Sequence, residues 1–376
     1  METKTSHLRS EEMILNMGPQ HPSTHGVLRL EVELDGELII DVRPHIGYLH
    51  RCFEKHCEAM TYPQIIPYVD RLDYLASMYN EFGYALAVER LAGIEVPPRV
   101  EYIRVIMGEL QRIASHLVAV GTYGLDIGAF TPFLYCFIER EKILTLFEMT
   151  CGARLLYNYI WVGGVSHDLP PDFIRLTKEF IVTFKPIIAE LNNLLSYNKI
   201  FIERTANVGI LPLDTAINFG VTGPNLRASG LKWDLRRDDP YSIYDKFDFE
   251  IPVGEGWHGT VGDCWDRYYL RMLEMEQSIR IIEQAIEQIP DGDVTSAIPK
   301  RIKPAEGQIY SRVENPRGEL GYYIVSKGGL QPHRLKVRPP SFVNLEVLGE
   351  LCKGHLVADV IAILGSIDIV LGEVDR

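Results

Sequence analysis

Two histidines, His21 and His25, flank three residues inside GPQHPSTHG (18–26), and imidazole is the side chain best suited to giving and taking protons near neutral pH. Their spacing would also suit two ligands of one metal ion. Against that, no Glu follows His21, Gly18, Pro19, Pro22 and Gly26 forbid a regular helix, and no third ligand is indicated. What remains is a polar loop or a loop that turns histidine toward a substrate. The six cysteines stand at 52, 57, 136, 151, 264 and 352. Only Cys52 and Cys57 are close, and neither a C-x-x-C nor a matched second pair exists, so the cysteines read as small buried side chains and not as a zinc, iron-sulfur or disulfide framework.

The elements that position these groups follow from hydrophobic period. VLRLEVEL (27–34) alternates apolar and polar residues and leads through Asp35-Gly36 into ELIIDV, which predicts a β-hairpin with the histidine loop at its mouth. Beyond Pro67 the pattern predicts a helix over about 70–91, then, after Pro97-Pro98, a second that closes at Gly121. A third, 133–159, is apolar on most faces and is expected to be central to the core. A fourth opens near Asp172 with a kink at Pro186, and a fifth carries Met272, Met275, Ile279, Ile282 and Ile286 to a stop at Pro290. The Gly/Pro/Asp-rich stretch 205–260 is expected to pack on something and to offer a partner surface, and Leu235-Arg236-Arg237 within it reads as a solvated turn. Strand-like runs return around Asn315-Pro316-Arg317-Gly318. The expected architecture is α+β, with a small N-terminal β lobe (1–66), a large central helical bundle (67–290) and a small β-containing C-terminal lobe (291–376).

Composition narrows the function classes. A chain of 376 residues, 46% hydrophobic, can bury a large core. Its formal net charge of -13 argues against a nucleic-acid binder. The most apolar stretch, Leu356 to Leu371, is interrupted by Asp359 and Asp368 and is too short for a bilayer span, so membrane association is expected to run through a partner. The N-terminal stretch has neither a secretory nor a transit pattern, which reads as a mature cytoplasmic protein.

Six motifs, GPQHPSTHGVLRL (18–30), GYLHRCFEK (47–55), RLDYLASM (71–78), MGELQRIASHL (107–117), DIGAFTPF (126–133) and DIVLGEVDR (368–376), resemble in order those of the 49 kDa family, the complex I subunits that line the quinone chamber. The resemblance covers practically the whole chain. It implies a fold shared with the large subunits of nickel-iron hydrogenases, which hold their metal with two C-x-x-C pairs. Here Lys55 stands where the second N-terminal thiolate would be and 368–376 contains no cysteine, so no nickel site can be built and no metal is expected.

The resemblance further implies a quinone substrate, ubiquinone or menaquinone, that must gain a proton at each carbonyl oxygen with its two electrons. The implied donors are His25 and Tyr74, with Asp126 paired to His25, raising its pKa and fixing its tautomer. The alternative for Asp126 is the cap of a helix start. Arg51 and Arg71 are implied to approach a four-iron four-sulfur cluster held by a small partner subunit, the alternative being core ion pairs with Glu54 or Asp70. The chain itself is expected to bind no cofactor. Other implied partners are a homologue of the adjacent C-type subunit, a ferredoxin-like iron-sulfur subunit and a membrane subunit at the quinone entry, on the cytoplasmic side of the plasma membrane. Many relatives carry a histidine where this chain has Leu156, so the expected cluster potential is nearly independent of pH. A titration slope near one proton per electron would contradict that expectation. Two other readings stay open, a hydrogenase-type metalloenzyme and a purely architectural scaffold. His50, His56 and His116 read as structural, and Tyr68, Phe130 and Phe133 are read either as lining an apolar quinone path or, more readily, as core aromatics, and are left unassigned.

Overall fold

A computed structural model describes residues 12–376, so nearly all of the N-terminal stretch inspected for targeting signals lies outside the described residues. The N-terminal sheet is antiparallel, β1 (Glu12–Met17), β2 (Arg29–Asp35) and β3 (Leu38–His45), with Val32 opposite Val42. The expected hairpin is β2–β3, and β1 adds an edge strand that the sequence pattern does not announce. Two short helices, α1 (Phe53–Cys57) and α2 (Tyr62–Val69), lead to the core helices α3 (Ser77–Ala92), α4 (Pro98–Asp126) and α5 (Phe130–Cys151). A two-stranded ribbon, β4 (Ile160–Trp161) and β5 (Gly164–Val165), precedes α6 (Phe173–Leu191). Short helices α7 (Lys199–Thr205), α8 (Leu213–Asn218), α9 (Pro224–Ala228) and α10 (Leu235–Asp238) then lead to α11 (Cys264–Gln288). The C-terminal part has an antiparallel sheet, β6 (Glu306–Asn315), β7 (Gly318–Lys327) and β8 (Arg334–Arg338), then α12 (Pro340–Glu346), α13 (Leu348–Cys352), α14 (Val357–Ile367) and α15 (Leu371–Asp375). The architecture is α+β, as expected. Among the described residues no helix is long and apolar enough to cross a membrane.

Several expected boundaries move, each for a local reason. The helix expected from about 70 begins only at Ser77, because side chains in 70–77 bind the backbone first. Leu75 donates its amide to Asp73 Oδ1 at 3.1 Å, Asn80 Nδ2 donates to the Asp73 carbonyl at 2.9 Å and Ser77 Oγ donates to the Asp70 carbonyl at 2.9 Å. Tyr74 therefore sits on a turn. In α4, Gly121 does not end the helix. A Cβ there would lie 3.2 Å from Cys136 Cβ, and one on Gly124 would lie 3.2 Å from Leu195 Cδ2, so these glycines admit close neighbours and the helix runs on to Asp126. The third helix stops at Cys151, where Gly152 turns left-handed at φ 79°. It is not the core's centre, since Phe130, Leu134, Tyr135 and Ile138 on it are exposed. α4 takes that place, buried along nearly its whole length. The fourth helix continues through Pro186 and ends in a π turn, 192–196.

The 205–260 stretch packs inward over much of its length while leaving Ile210, Leu213 and Ile217 exposed. Arg236, expected in a solvated turn, is 1% exposed. It pairs with Asp234 at 2.7 Å and with Glu109 of α4 at 3.2 Å. Glu109 also accepts from Tyr79 and Tyr244 hydroxyls at 2.8 Å, Arg112 Nε at 3.2 Å and Ser278 Oγ at 2.6 Å. Burial disfavours its charge, but the guanidiniums of Arg112 and Arg236 outweigh that and pull the carboxyl down to about 2. Arg227 continues the network to Glu274 at 2.6 Å and Glu314 at 2.8 Å, and Glu274 meets His116 Nε2 at 2.8 Å. Pairing of this kind offsets the cost of burying these charges.

Apolar packing falls into two clusters. One joins α3–α6 and α11 to the β6–β7–β8 sheet. The other joins β2 and β3 to Leu211, Val221 and Leu226 and to the C-terminal helices from Leu345 to Val374. The N-terminal sheet thus shares its core with the last four helices of the chain, α12 to α15.

Candidate functional site

The histidine loop is held by its own backbone. The Thr24 amide and hydroxyl both donate to the His21 carbonyl, at 3.1 and 3.0 Å, and His21 pairs with Gly26 in an isolated bridge. Gly18, at φ 83°, passes so close to Leu28 that a Cβ would fall 2.1 Å from its carbonyl oxygen. His25 itself is left-handed at φ 53°, an uncommon conformation for a residue other than glycine, and its Nε2 lies 3.9 Å from Asp126 Oδ2.

Asp126 is the last residue of α4, so it caps no helix start. Burial pushes its carboxyl up to about 6. The expected upward shift of His25 is reversed: burial lowers it, Asp368 raises it and Arg317 lowers it. Its Nε2 is buried without a hydrogen-bond partner, because 3.9 Å is too long for a bond to Asp126. Since the folded chain prefers neutral Asp126, stability linked to this group is fullest below its unfolded value of 3.8 and declines as pH rises toward 6. Asp126→Asn, which has no charge to bury, is therefore expected to be more stable relative to wild type at pH 7 than at pH 4. Denaturant unfolding of both chains at the two pH values checks this, and a constant difference would contradict it.

Tyr74 is half-buried on the turn before α3, pinned from the other side by the C-terminus. A Cβ on Gly372 would sit 3.2 Å from Tyr74 Cδ1 and 2.5 Å from the Leu72 carbonyl oxygen. Its hydroxyl is shifted up by burial, down by Arg317 and Arg51, and up by Asp73 and Asp368. His25 and Tyr74 thus feel the same two charges, Arg317 and Asp368.

Those charges form a clamp that sequence reasoning missed. Arg317 Nη1 donates to Asp73 Oδ2 at 2.8 Å and Ser115 Oγ at 3.0 Å, and Nη2 donates to Asp368 Oδ1 at 3.1 Å. Arg271 Nε lies 3.6 Å from Asp368 Oδ2. Asp73 and Asp368 fall inside two of the six motifs and Arg317 inside the NPRG turn, so the signal is present in the sequence, but it looks there like motif context and hairpin geometry.

Arg51 and Arg71 lie side by side at the surface. Arg51 Nη2 donates to the Arg71 carbonyl at 2.5 Å, and Arg71 Nη1 donates to the Pro67 carbonyl. The alternative pairing with Glu54 or Asp70 is not made. Glu54 instead meets Lys336 at 3.0 Å, and Asp70 Oδ2 accepts the Asn158 amide at 3.0 Å. Among the described residues neither arginine forms an ion pair with a carboxylate. Burial and then the neighbouring Arg71 charge lower the Arg51 guanidinium. The segment carrying Arg51 is stitched to the C-terminus, with Gly47 and Leu49 amides on the Asp375 carboxylate at 2.8 and 2.6 Å and His50 Nδ1 2.6 Å from the Asp375 carbonyl.

Leu156 is left-handed at φ 59° in a loop whose next amides bind buried carboxyls, Asn158 on Asp70 and Tyr159 and Ile160 on Glu81 at 2.9 and 2.6 Å. Burial raises both acids, Asp70 to about 6. Titratable groups therefore do underlie this loop, although residue 156 is apolar. Tyr68 and Phe130, expected in the core, are exposed instead. Among the described residues no group of three or more His, Cys, Asp or Glu is arranged to hold a metal ion.

Fold and site together define an α+β chain whose titratable groups gather where an N-terminal loop, the helical core and the C-terminus meet. The family described as respiratory-chain NADH dehydrogenase, 49 Kd subunit, matches residues 126–305 and 296–376. Over 373 residues the chain is 58% identical to the D subunit of NADH-quinone oxidoreductase from Chlorobium luteolum, covering 98% of this chain and 94% of the relative. It is 59% identical to the protein of that name in Pelodictyon phaeoclathratiforme and 57% identical to that of Chlorobaculum tepidum, each over 98% of this chain and 93% of the relative. The chain belongs to the 49 kDa family and is a complex I subunit.

Proposed function

We propose that this subunit forms the quinone-reduction site of a proton-translocating NADH-quinone oxidoreductase. Reduction of a quinone consumes two electrons and two protons, one proton at each ring oxygen. His25 and Tyr74 supply them, from imidazole and phenol, and Asp126, 3.9 Å from His25, takes part in returning its proton. Holding both donors ready spares the ring the cost of carrying charge in a buried site.

The observation that carries this reading is the shared electrostatic environment. Two donor side chains from distant parts of the sequence feel the charges of Arg317 and Asp368: Arg317 is bonded to Asp73, the residue before Tyr74, and Asp368 follows the helix whose Gly365 would bring a Cβ within 3.2 Å of Asp126, the neighbour of His25. Electrons would come from the four-iron four-sulfur cluster of a small partner subunit. Arg51 and Arg71, exposed and without carboxylate partners among the described residues, would face that cluster, where positive charge favours its reduced form. The homologue of the C-type subunit, the ferredoxin-like iron-sulfur subunit and a membrane subunit at the quinone entry would complete the complex, peripheral on the cytoplasmic side of the plasma membrane. Movement of the 18–26 loop during turnover would begin the coupling to proton translocation.

The test is quinone-dependent turnover of assembled complexes altered at His25 or Tyr74, with electron transfer to an upstream artificial acceptor as the control for assembly.

A further inference from the structure

Arg317 connects the two halves of the candidate site. Its side chain is 1% exposed and is fixed at three points, Asp73, Ser115 and Asp368. Asp73 immediately precedes Tyr74 on the turn before α3, and Asp368 follows α14, whose Gly365 would carry a Cβ 3.2 Å from Asp126, the carboxylate 3.9 Å from His25. We propose that Arg317 is a positioning residue for quinone reduction, a fixed cation clamped between Asp73, which adjoins Tyr74, and Asp368, which follows the helix packed against Asp126 beside His25.

The charges around it make its position consequential. Arg317 is paired with Asp73 and Asp368 and feels the charge of Glu373, while Asp368 also meets Arg271 and feels His116 and His25. Burial and the Asp73 charge push Glu373 up to about 8, so at neutral pH it is mostly uncharged. Two cations, Arg317 and Arg271, then stand against Asp73 and Asp368, with Asp126, charged above about 6, a third anion beside His25. Removing Arg317 leaves a net negative pocket, and negative charge holds protons on both an imidazole and a phenol. After burial, which acts first on each donor, Arg317 is a charge that lowers both, in agreement with this arrangement. A guanidinium suits the post better than an ammonium because its planar fork reaches separate acceptors at once.

The inference rests on the quinone reading, and its test separates the two. In assembled complexes, kcat and KM for a soluble quinone would be measured across pH for wild type, Arg317→Gln and Arg317→Lys. Arg317→Gln is expected to lower kcat by about tenfold with KM changed by less than about threefold. The pH above which turnover declines should rise by about one unit, since the donors hold their protons more tightly. Arg317→Lys should return that limb most of the way to wild type.

A limb that stays at the wild-type pH in Arg317→Gln, or one that moves equally in both variants, overturns the proposal. If Arg317→Gln does not assemble, Asp73→Asn takes its place. Loss of one counter-charge should then move the limb to lower pH, and an unmoved limb again overturns it. His25→Ala and Tyr74→Phe run in parallel: full turnover in these would sink the donor assignment itself, whereas their loss beside an unmoved Arg317→Gln limb removes only the role of Arg317.

Discussion

Tyr74→Phe in the assembled complex is expected to cut quinone-dependent turnover by roughly 100-fold or more, the range general acids contribute, while reduction of an upstream artificial acceptor stays at the wild-type rate. The substitution removes one oxygen from a side chain packed between the 71–74 turn and Gly372, so the fold has little reason to change. His25→Ala is expected to fall by a similar factor. Its loop is held through the His21 carbonyl and Thr24, not through the imidazole, which leaves the surrounding backbone intact. The pH dependence carries a sign. Burial holds His25 below its ordinary 6.5, so the doubly protonated imidazole is populated below that lowered value and disappears as pH rises through it. Wild-type turnover should therefore decline on the alkaline side from a lower pH than free imidazole would give. Either variant turning over quinone at the wild-type rate would contradict the assignment.

The second large effect concerns stability. Glu109→Ala strips the shared anion from beneath Arg112 and Arg236, whose side chains have 0% and 1% exposure, and leaves the Tyr79 and Tyr244 hydroxyls and Ser278 without their acceptor. Leaving a buried charge uncompensated costs about 3–5 kcal/mol, a large part of the stability of most domains. The expected result is a chain that fails to accumulate in the complex and unfolds at markedly lower denaturant concentration. The wild-type contribution of Glu109 is present above its unfolded value of 4.5 and is lost as pH falls toward about 2, so at neutral pH the full penalty should appear. A midpoint within about 0.5 kcal/mol of wild type would show that the buried network is held together by something else.

How much of this is legible in the sequence depends on the length scale of the interaction. The β2–β3 hairpin, the C-terminal sheet and the α11 stop at Pro290 follow from alternation, Asp-Gly and Asn-Pro-Arg-Gly turns and proline, all local signals. The start of α3 escapes hydrophobic period because Asp73 and Ser77 bind the backbone before the helix can propagate, a competition that period does not record. Gly121 looks like a helix stop because only the packed structure reveals Cys136 against it. The polar interior is the least legible part. Leu235-Arg236-Arg237 reads as a solvated turn, whereas Arg236 and the nearby Arg227 are buried and their partners Glu109, Glu274 and Glu314 come from separate elements. Likewise, motifs point to His25, Tyr74 and Asp126, but the Arg317 clamp depends on residues 73, 115, 317 and 368 meeting in space.

A density map of the assembled complex with a quinone bound tests the central claim most directly. The account predicts one ring oxygen within hydrogen-bond distance, about 3 Å, of the Tyr74 hydroxyl and the other equally near the His25 imidazole, directly or through one water. A ring seated with these two side chains opening onto different cavities would contradict it.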